Sequence, residues 1–230
     1  EKYPHVELTE IKLKQHDKSN YATTFPSTVI QDKDGNFFAW KSYVEFNLWH
    51  TRDYENFKNT MQMDEDARFH PPGSGAKPVL STFNHEFGHA MVNSLGKDAP
   101  IGIDMRTALI KYYSKNVAQH PRRPGTNATN KAINNYIKRL DDWEAGVLGW
   151  LKQLSRYSFV DYSNGVLDRD ESLAEAFDEV ERLGDKASEP AKVLHDLLVE
   201  AYHKRYDKID LVQKRRTEKF IKDMRKRKGK

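Results

Sequence analysis

His85, Glu86 and His89 are the residues whose types and spacing can do chemistry together in this chain. They sit in Ser81-Thr82-Phe83-Asn84-His85-Glu86-Phe87-Gly88-His89-Ala90-Met91-Val92, a stretch that predicts a helix. Four residues is just over one helical turn, so the two imidazoles share a face and can hold one metal ion between them. Glu86 stands beside that face, near enough to reach a water at the ion without crowding it. HExxH on a helix is the pattern of a zinc site whose glutamate works as general base and proton carrier. The bland alternative is a helix that carries these three residues by accident. The neighbours argue for a built site. Gly88 lets another backbone come close, and Phe83, Phe87, Met91 and Val92 supply apolar surface for burial.

A catalytic zinc takes three protein ligands and keeps one position open. The chain has no cysteine, which excludes thiolate sites, a cysteine nucleophile and a disulfide framework and leaves His, Asp and Glu as donors. The extended spacing HExxHxxGxxH is absent: position 95 is Leu, and the next histidine is His120. The better source is Asp170-Glu171-Ser172-Leu173-Ala174-Glu175-Ala176-Phe177, a second predicted helix. Glu171 and Glu175 share one face; one carboxylate can bind the ion while the other accepts an N–H from a ligating histidine and orients its ring. Ala174 and Ala176 are small enough for close packing against the metal helix, and Leu173 and Phe177 mark the buried side. Asp168 and Asp170 read as helix-start residues. His120 and His195 are the fallback donors, and His50 and His70 precede the motif and can line a cleft.

The pairing of His-Glu-Phe-Gly-His with a later Glu-x-x-Ala-Glu-Ala-Phe, preceded by Ser-x-Tyr, resembles the lethal-factor-like zincin metallopeptidases, a group with relatives in phage head-morphogenesis and toxin-like proteins. The resemblance runs in order over roughly residues 6–183, though only the two motifs and the strand before the first are specific. It implies an α+β zincin fold of the gluzincin type and zinc-dependent endopeptidase activity. It assigns His85, His89 and Glu171 as zinc ligands, Glu175 as an outer carboxylate, Glu86 as the base and an upstream tyrosine as the oxyanion donor. Tyr157, in Ser155-Arg156-Tyr157, lies 14 residues before Glu171, and Tyr162 lies nine before it; either can be that tyrosine. The gap from His89 to Glu171 is longer than the family's pattern. The resemblance also implies virion association, with virion proteins as partners. The rival function is a structural component of a phage-like particle that keeps the fold as a packing module and contacts DNA through its basic tail.

The elements that must position these residues follow from patterning. Residues 6–14 alternate apolar and polar, as a half-buried strand does. Residues 27–30 and 37–40 flank the turn-forming Asp32-Lys33-Asp34-Gly35-Asn36 and predict a hairpin, with a separate strand at 43–49 that can hold an extended peptide substrate by strand addition. Helices are expected over 52–63 and 104–118. Another follows the cap at 126–129 and runs to about Leu154, with Gly146 and Gly149 weakening it so that a break is expected near them. All that follows residue 80 reads as helical. Strands first and helices later is an α+β order. The chain of 230 residues divides into a zincin domain at 1–187 and a C-terminal helix at 188–230 with a basic end. It opens on Glu1 rather than Met, as a processed product or part of a longer chain would.

Charge is uneven. The net is +4, yet residues 214–230 hold ten Lys and Arg against Glu218 and Asp223, a net of +8 that leaves −4 on the rest. Such a run is a solvated helix end or a phosphate-neutralising contact to nucleic acid, with a membrane surface as a weaker third reading. Phe220 is its only aromatic, so base stacking is not indicated. Nothing reaches the roughly 18 consecutive apolar residues of a membrane span.

Overall fold

The computed structural model describes residues 2–15, 20–31, 37–96 and 101–207. The hairpin turn at 32–36 and the basic run at 214–230 lie outside the described residues. The architecture is α+β: a small sheet first, then a mostly helical remainder.

β1 (Val6–Lys14), β2 (Ala22–Gln31) and β3 (Phe37–Asn47) form a sheet in the order β1-β3-β2, with β1 parallel and β2 antiparallel to β3. The expected strands at 37–40 and 43–49 are one strand, because the inward alternation of Val44 and Phe46 continues along the same ladder. β2 starts at Ala22, earlier than its apolar residues suggest. β3 is therefore the central strand with both edges taken, and it cannot accept an extended peptide. The edge beside α3 (Pro78–Ser94) is β2.

α3 carries the HExxH residues beneath the sheet. Pro78 opens it, where a missing N–H costs nothing. Its sheet-facing side meets a small apolar cluster of Ala22, Val44 and Phe46 with Leu8 and Phe83. Its other side faces the main core, built with α4 (Ile101–Asn116), the end of α5 (Asn130–Leu151), α6 (Arg169–Leu183) and α7 (residues 189–207). Ala191, Leu194, Leu198, Tyr202 and Tyr206 of α7 lie inside that core, so the C-terminal stripe packs on the same body that holds α3. No described helix is long and apolar enough to cross a membrane.

Two expectations fail for physical reasons. α5 runs unbroken through Gly146 and Gly149. A Cβ at 146 would lie 2.4 Å from the Tyr113 hydroxyl, so this glycine makes room for a neighbouring ring and does not end the helix. The chain after residue 80 is also not all helix. A 3₁₀ turn at Arg156–Ser158 leads into a short hairpin, β4 (Phe159–Asp161) with β5 (Val166–Leu167). Val160 and Val166 on this hairpin are exposed, so the segment lacks the core burial that patterning detects.

α6 lies against α3 at close range. A Cβ on Gly88 would stand 2.7 Å from the Cα of Ala174. Gly88→Ala improves helix propensity by about 1 kcal/mol, while the overlap with backbone costs about 1–3 kcal/mol and separates the helices. The variant should melt at a lower temperature and bind zinc more weakly than the parent; unchanged metal affinity by chelator competition would show that the approach does not set the site.

Candidate metal centre

α6 begins at its N-cap Asp168, whose carboxylate accepts from the N–H of Asp170 and of Glu171. Glu171 thereby sits in the first turn, aimed at α3. Its Oε2 lies 3.3 Å from the Nε2 of both His85 and His89, and the two Nε2 atoms are 3.0 Å apart. Donors about 2.0–2.1 Å from a shared tetrahedral ion stand about 3.3 Å from one another. Glu171 Oε2 is buried and has no hydrogen-bond partner. Among the described residues these three form the group that could hold a metal. Three lone-pair donors converging on one point, one of them otherwise unsatisfied, fit a cation.

Glu175, one turn later, supports the group from behind. Its Oε1 is 2.8 Å from His85 Nδ1, an ion-pair contact and not a well-aligned hydrogen bond, and 3.4 Å from His70 Nδ1. Its Oε2 accepts from Ser155 Oγ at 2.7 Å. An ionised carboxylate is acceptor only, so it favours the proton on His85 Nδ1 and leaves the Nε2 lone pair for the ion. Burial opposes the charge on Glu175, but His70 and His85 outweigh it and its pKa is lowered. Glu171 behaves alike: burial would raise it, and His85 and His89 bring it down to about 2. Burial would lower the His85 imidazole, yet Glu171 and Glu175 hold its pKa well above 6.5.

Beside the group opens a cavity of about 330 Å³, lined by α3, the start of β2, His70 and Tyr157. Glu86 faces it, with Thr24 Oγ1 of β2 2.6 Å from its Oε2 and 2.8 Å from its main-chain oxygen. Tyr157 is held by its own N–H bonded to the Phe69 carbonyl, and its ring lies 5.9 Å from that of His85. Burial, then the carboxylates of Glu171, Glu175 and Glu86, raise its pKa, so the phenol keeps its proton as a donor. Tyr162 is elsewhere: it sits at the tip of the β4–β5 hairpin against Phe159, with Lys152 4.9 Å from its ring centre. Of the other histidines, His70 joins the cavity, while His50 packs on Tyr21, His120 on Trp143, and His195 lies 3.2 Å from Glu181.

Two further residues touch the site: Thr24, which residue patterning does not reveal, and Ser155. Thr24 lies in a stretch that reads as polar connection, and only the sheet register brings it to Glu86. Ser155 had a signal in the Ser-x-Tyr triplet, whose serine reaches Glu175 while its tyrosine reaches the cavity. No protein-family model, curated protein or solved structure matches the chain.

Glu171→Ala should reduce zinc affinity by more than the roughly 10–100-fold expected for Glu175→Ala, which removes only an orienting group. Competition with a chelator measures both; the reverse order would put the ligand one helical turn later. The pKa directions add a second expectation. The raised His85 pKa gives the metal-free protein stability that is complete below pH 6.5 and is lost as pH rises through the raised value. The lowered Glu171 pKa gives stability present above pH 4.5 and lost as pH falls towards 2. Metal must displace the His85 proton, so zinc affinity should climb by up to about tenfold per pH unit until that value is passed. A flat profile between pH 6 and 8 would contradict a protonated His85.

Proposed function

We propose that the chain is a zinc-dependent endopeptidase of the zincin type. The observation that carries this reading is the convergence of His85 Nε2, His89 Nε2 and Glu171 Oε2 within 3.0–3.3 Å, in a cavity that also holds Glu86 and Tyr157. A zinc ion held by those three atoms supplies Lewis acidity towards a water and a scissile carbonyl. Glu86 removes the proton of the attacking water as it adds to the carbonyl carbon, then delivers that proton to the leaving amine as the C–N bond breaks. Thr24 fixes the carboxylate for both transfers by binding Oε2. Tyr157, kept protonated, donates to the oxygen that gains negative charge. The open edge of β2 aligns an extended peptide over the metal helix by main-chain hydrogen bonds.

Glu86→Gln keeps the shape of the side chain and removes the base. It should leave one zinc per chain and lower turnover of a peptide library by roughly 10²-fold or more. Loss of zinc in this variant, or turnover that survives it, would overturn the division of roles between Glu86 and the ligands.

A further inference from the structure

The sheet has two edges, and only one belongs to the cavity. β1 forms the other, with β3 on one side and no strand on the other among the described residues. An edge strand presents unpaired N–H and C=O groups along its length, a template for another strand. β1 carries two of the usual guards, a bulge between Leu8 and Glu10 and charged side chains at Glu10, Lys12 and Lys14, but the stretch beyond the bulge pairs regularly with β3. Ile11 and Leu13 are in register with Val44 and Phe46 of β3, on the face turned to α3. Val44 is 0% and Phe46 6% exposed, whereas Ile11 is 57% and Leu13 67% exposed. α3 lies mainly under β2 and β3, so this end of β1 overhangs it and, among the described residues, two large apolar side chains stay exposed.

We propose that β1 is a homotypic docking edge: two copies of the chain pair these strands antiparallel about Ile11, joining two three-stranded sheets into one of six. The occupant is read from charge. On the outer face of β1, Glu10 and Lys12 lie side by side at 3.2 Å, with Lys12 over the Tyr43 ring at 4.0 Å. Glu7 and Lys14 have partners within the chain, Lys41 at 3.5 Å and Glu45 at 3.6 Å. In an antiparallel pair, directly opposed residues share a face, so a two-fold pairing must centre on one residue. Centred on Ile11, it opposes Glu10 to the partner's Lys12 and Lys12 to the partner's Glu10, with Ile11 against Ile11 beneath. Centred on Leu13, it would oppose Lys12 to Lys14; centred on Lys12, lysine to lysine; centred on Glu10, glutamate to glutamate. Only the Ile11 register satisfies both the charges and the apolar pair. The arrangement leaves both cavities open, because β2 lies two strand spacings away, about 10 Å.

Sedimentation of the full chain over a concentration series should show a monomer–dimer equilibrium. Glu10→Lys and Lys12→Glu should each weaken it by roughly tenfold or more, since each places like charges opposite one another twice. An equimolar mixture of the two variants should dimerise again, because lysines at 10 and 12 in one chain then face glutamates at 12 and 10 in the other. A second measurement exploits the absence of cysteine. Ile11→Cys stands opposite its own copy at about 4.5–5.5 Å between Cα atoms, within disulfide range, and should cross-link under mild oxidation. Leu13→Cys falls opposite the bulge at Thr9 and about 13 Å from its own copy, and should not. A chain that stays monomeric throughout, charge variants that still self-associate, or preferential cross-linking at 13 would overturn the proposal.

Discussion

The structure depends on the approach of α3 to α6 at Gly88 and Ala174. With no side chain at 88, the two helices pack so closely that successive turns meet in pairs: Ser81 with Asp178, His85 with Glu175, and His85 and His89 with Glu171. One helix contributes imidazoles and the other carboxylates, so no loop has to deliver a ligand. The far end of the contact is locked by ions. Arg182 Nε donates to Asp178 Oδ1 at 2.6 Å, and its Nη2 donates to Asp178 Oδ2 at 2.8 Å and to Ser74 Oγ at 3.1 Å. Its Nη1 donates to the Pro72 carbonyl at 3.0 Å. On the other side of the same loop, the Glu65 carboxylate accepts from the N–H of Gly73 and of Gly75. The loop that follows His70 is thus tied to α2 (Tyr54–Asp66) and α6 together. Removing one member of this buried network would leave a charge unpaired, a loss of about 3–5 kcal/mol, whereas the intact network chiefly fixes geometry.

The cavity gathers three carboxylates, two of which the neighbouring histidines hold below the usual range. Glu86, Glu171 and Glu175 stand around His70, His85 and His89, which are neutral when they act as ligands or acceptors. Three carboxylates in a partly dry site repel one another unless a cation sits among them. In the metal-free protein the proton on His85 plays that part, which is why its pKa is raised against burial. A divalent ion placed at the meeting point of Nε2, Nε2 and Oε2 does the same work with twice the charge. The electrostatics and the donor geometry are thus both compatible with a cation at the same point.

How much of this was legible in the sequence differs by element, for identifiable reasons. The metal pair is local: His85 and His89 are brought together by helical periodicity alone. Glu171 and Glu175 needed a second helix at close range, and the small residues Gly88 and Ala174 announced it. The hairpin partners, the α5 cap at Thr129 and the start of α6 also followed from side-chain chemistry. What failed was non-local. β3 reads as two strands because Ser42 and Lys41 interrupt its apolar run, yet Ser42 is fully buried in the sheet. Gly146 looks like a helix breaker until the Tyr113 ring from another helix is placed beside it. Tyr157 has the Ser-x-Tyr context and Tyr162 the shorter spacing to Glu171, and the choice between them is made by a 3₁₀ turn and a small hairpin that carry one to the cavity and the other away from it.

The register of β2 is equally non-local, and it bears directly on the proposed chemistry. Thr24 pairs with Val44, and Ala22 with Phe46, so Ala22 and Thr24 lie on the face that covers α3. Strand side chains alternate with period two, and a slip of one residue would point Thr24 outward and bring Thr23 or Phe25 over Glu86. The outer face already holds Phe25, stacked on Tyr43 at 5.1 Å. Pro26 next along β2 suits an edge strand, where no ladder partner needs its missing N–H. The apolar pair Val44 and Phe46 therefore does more than fill space beneath the sheet. By fixing the register of β2, it decides which hydroxyl meets the Glu86 carboxylate, and so couples the packing of a three-stranded sheet to the orientation of that side chain.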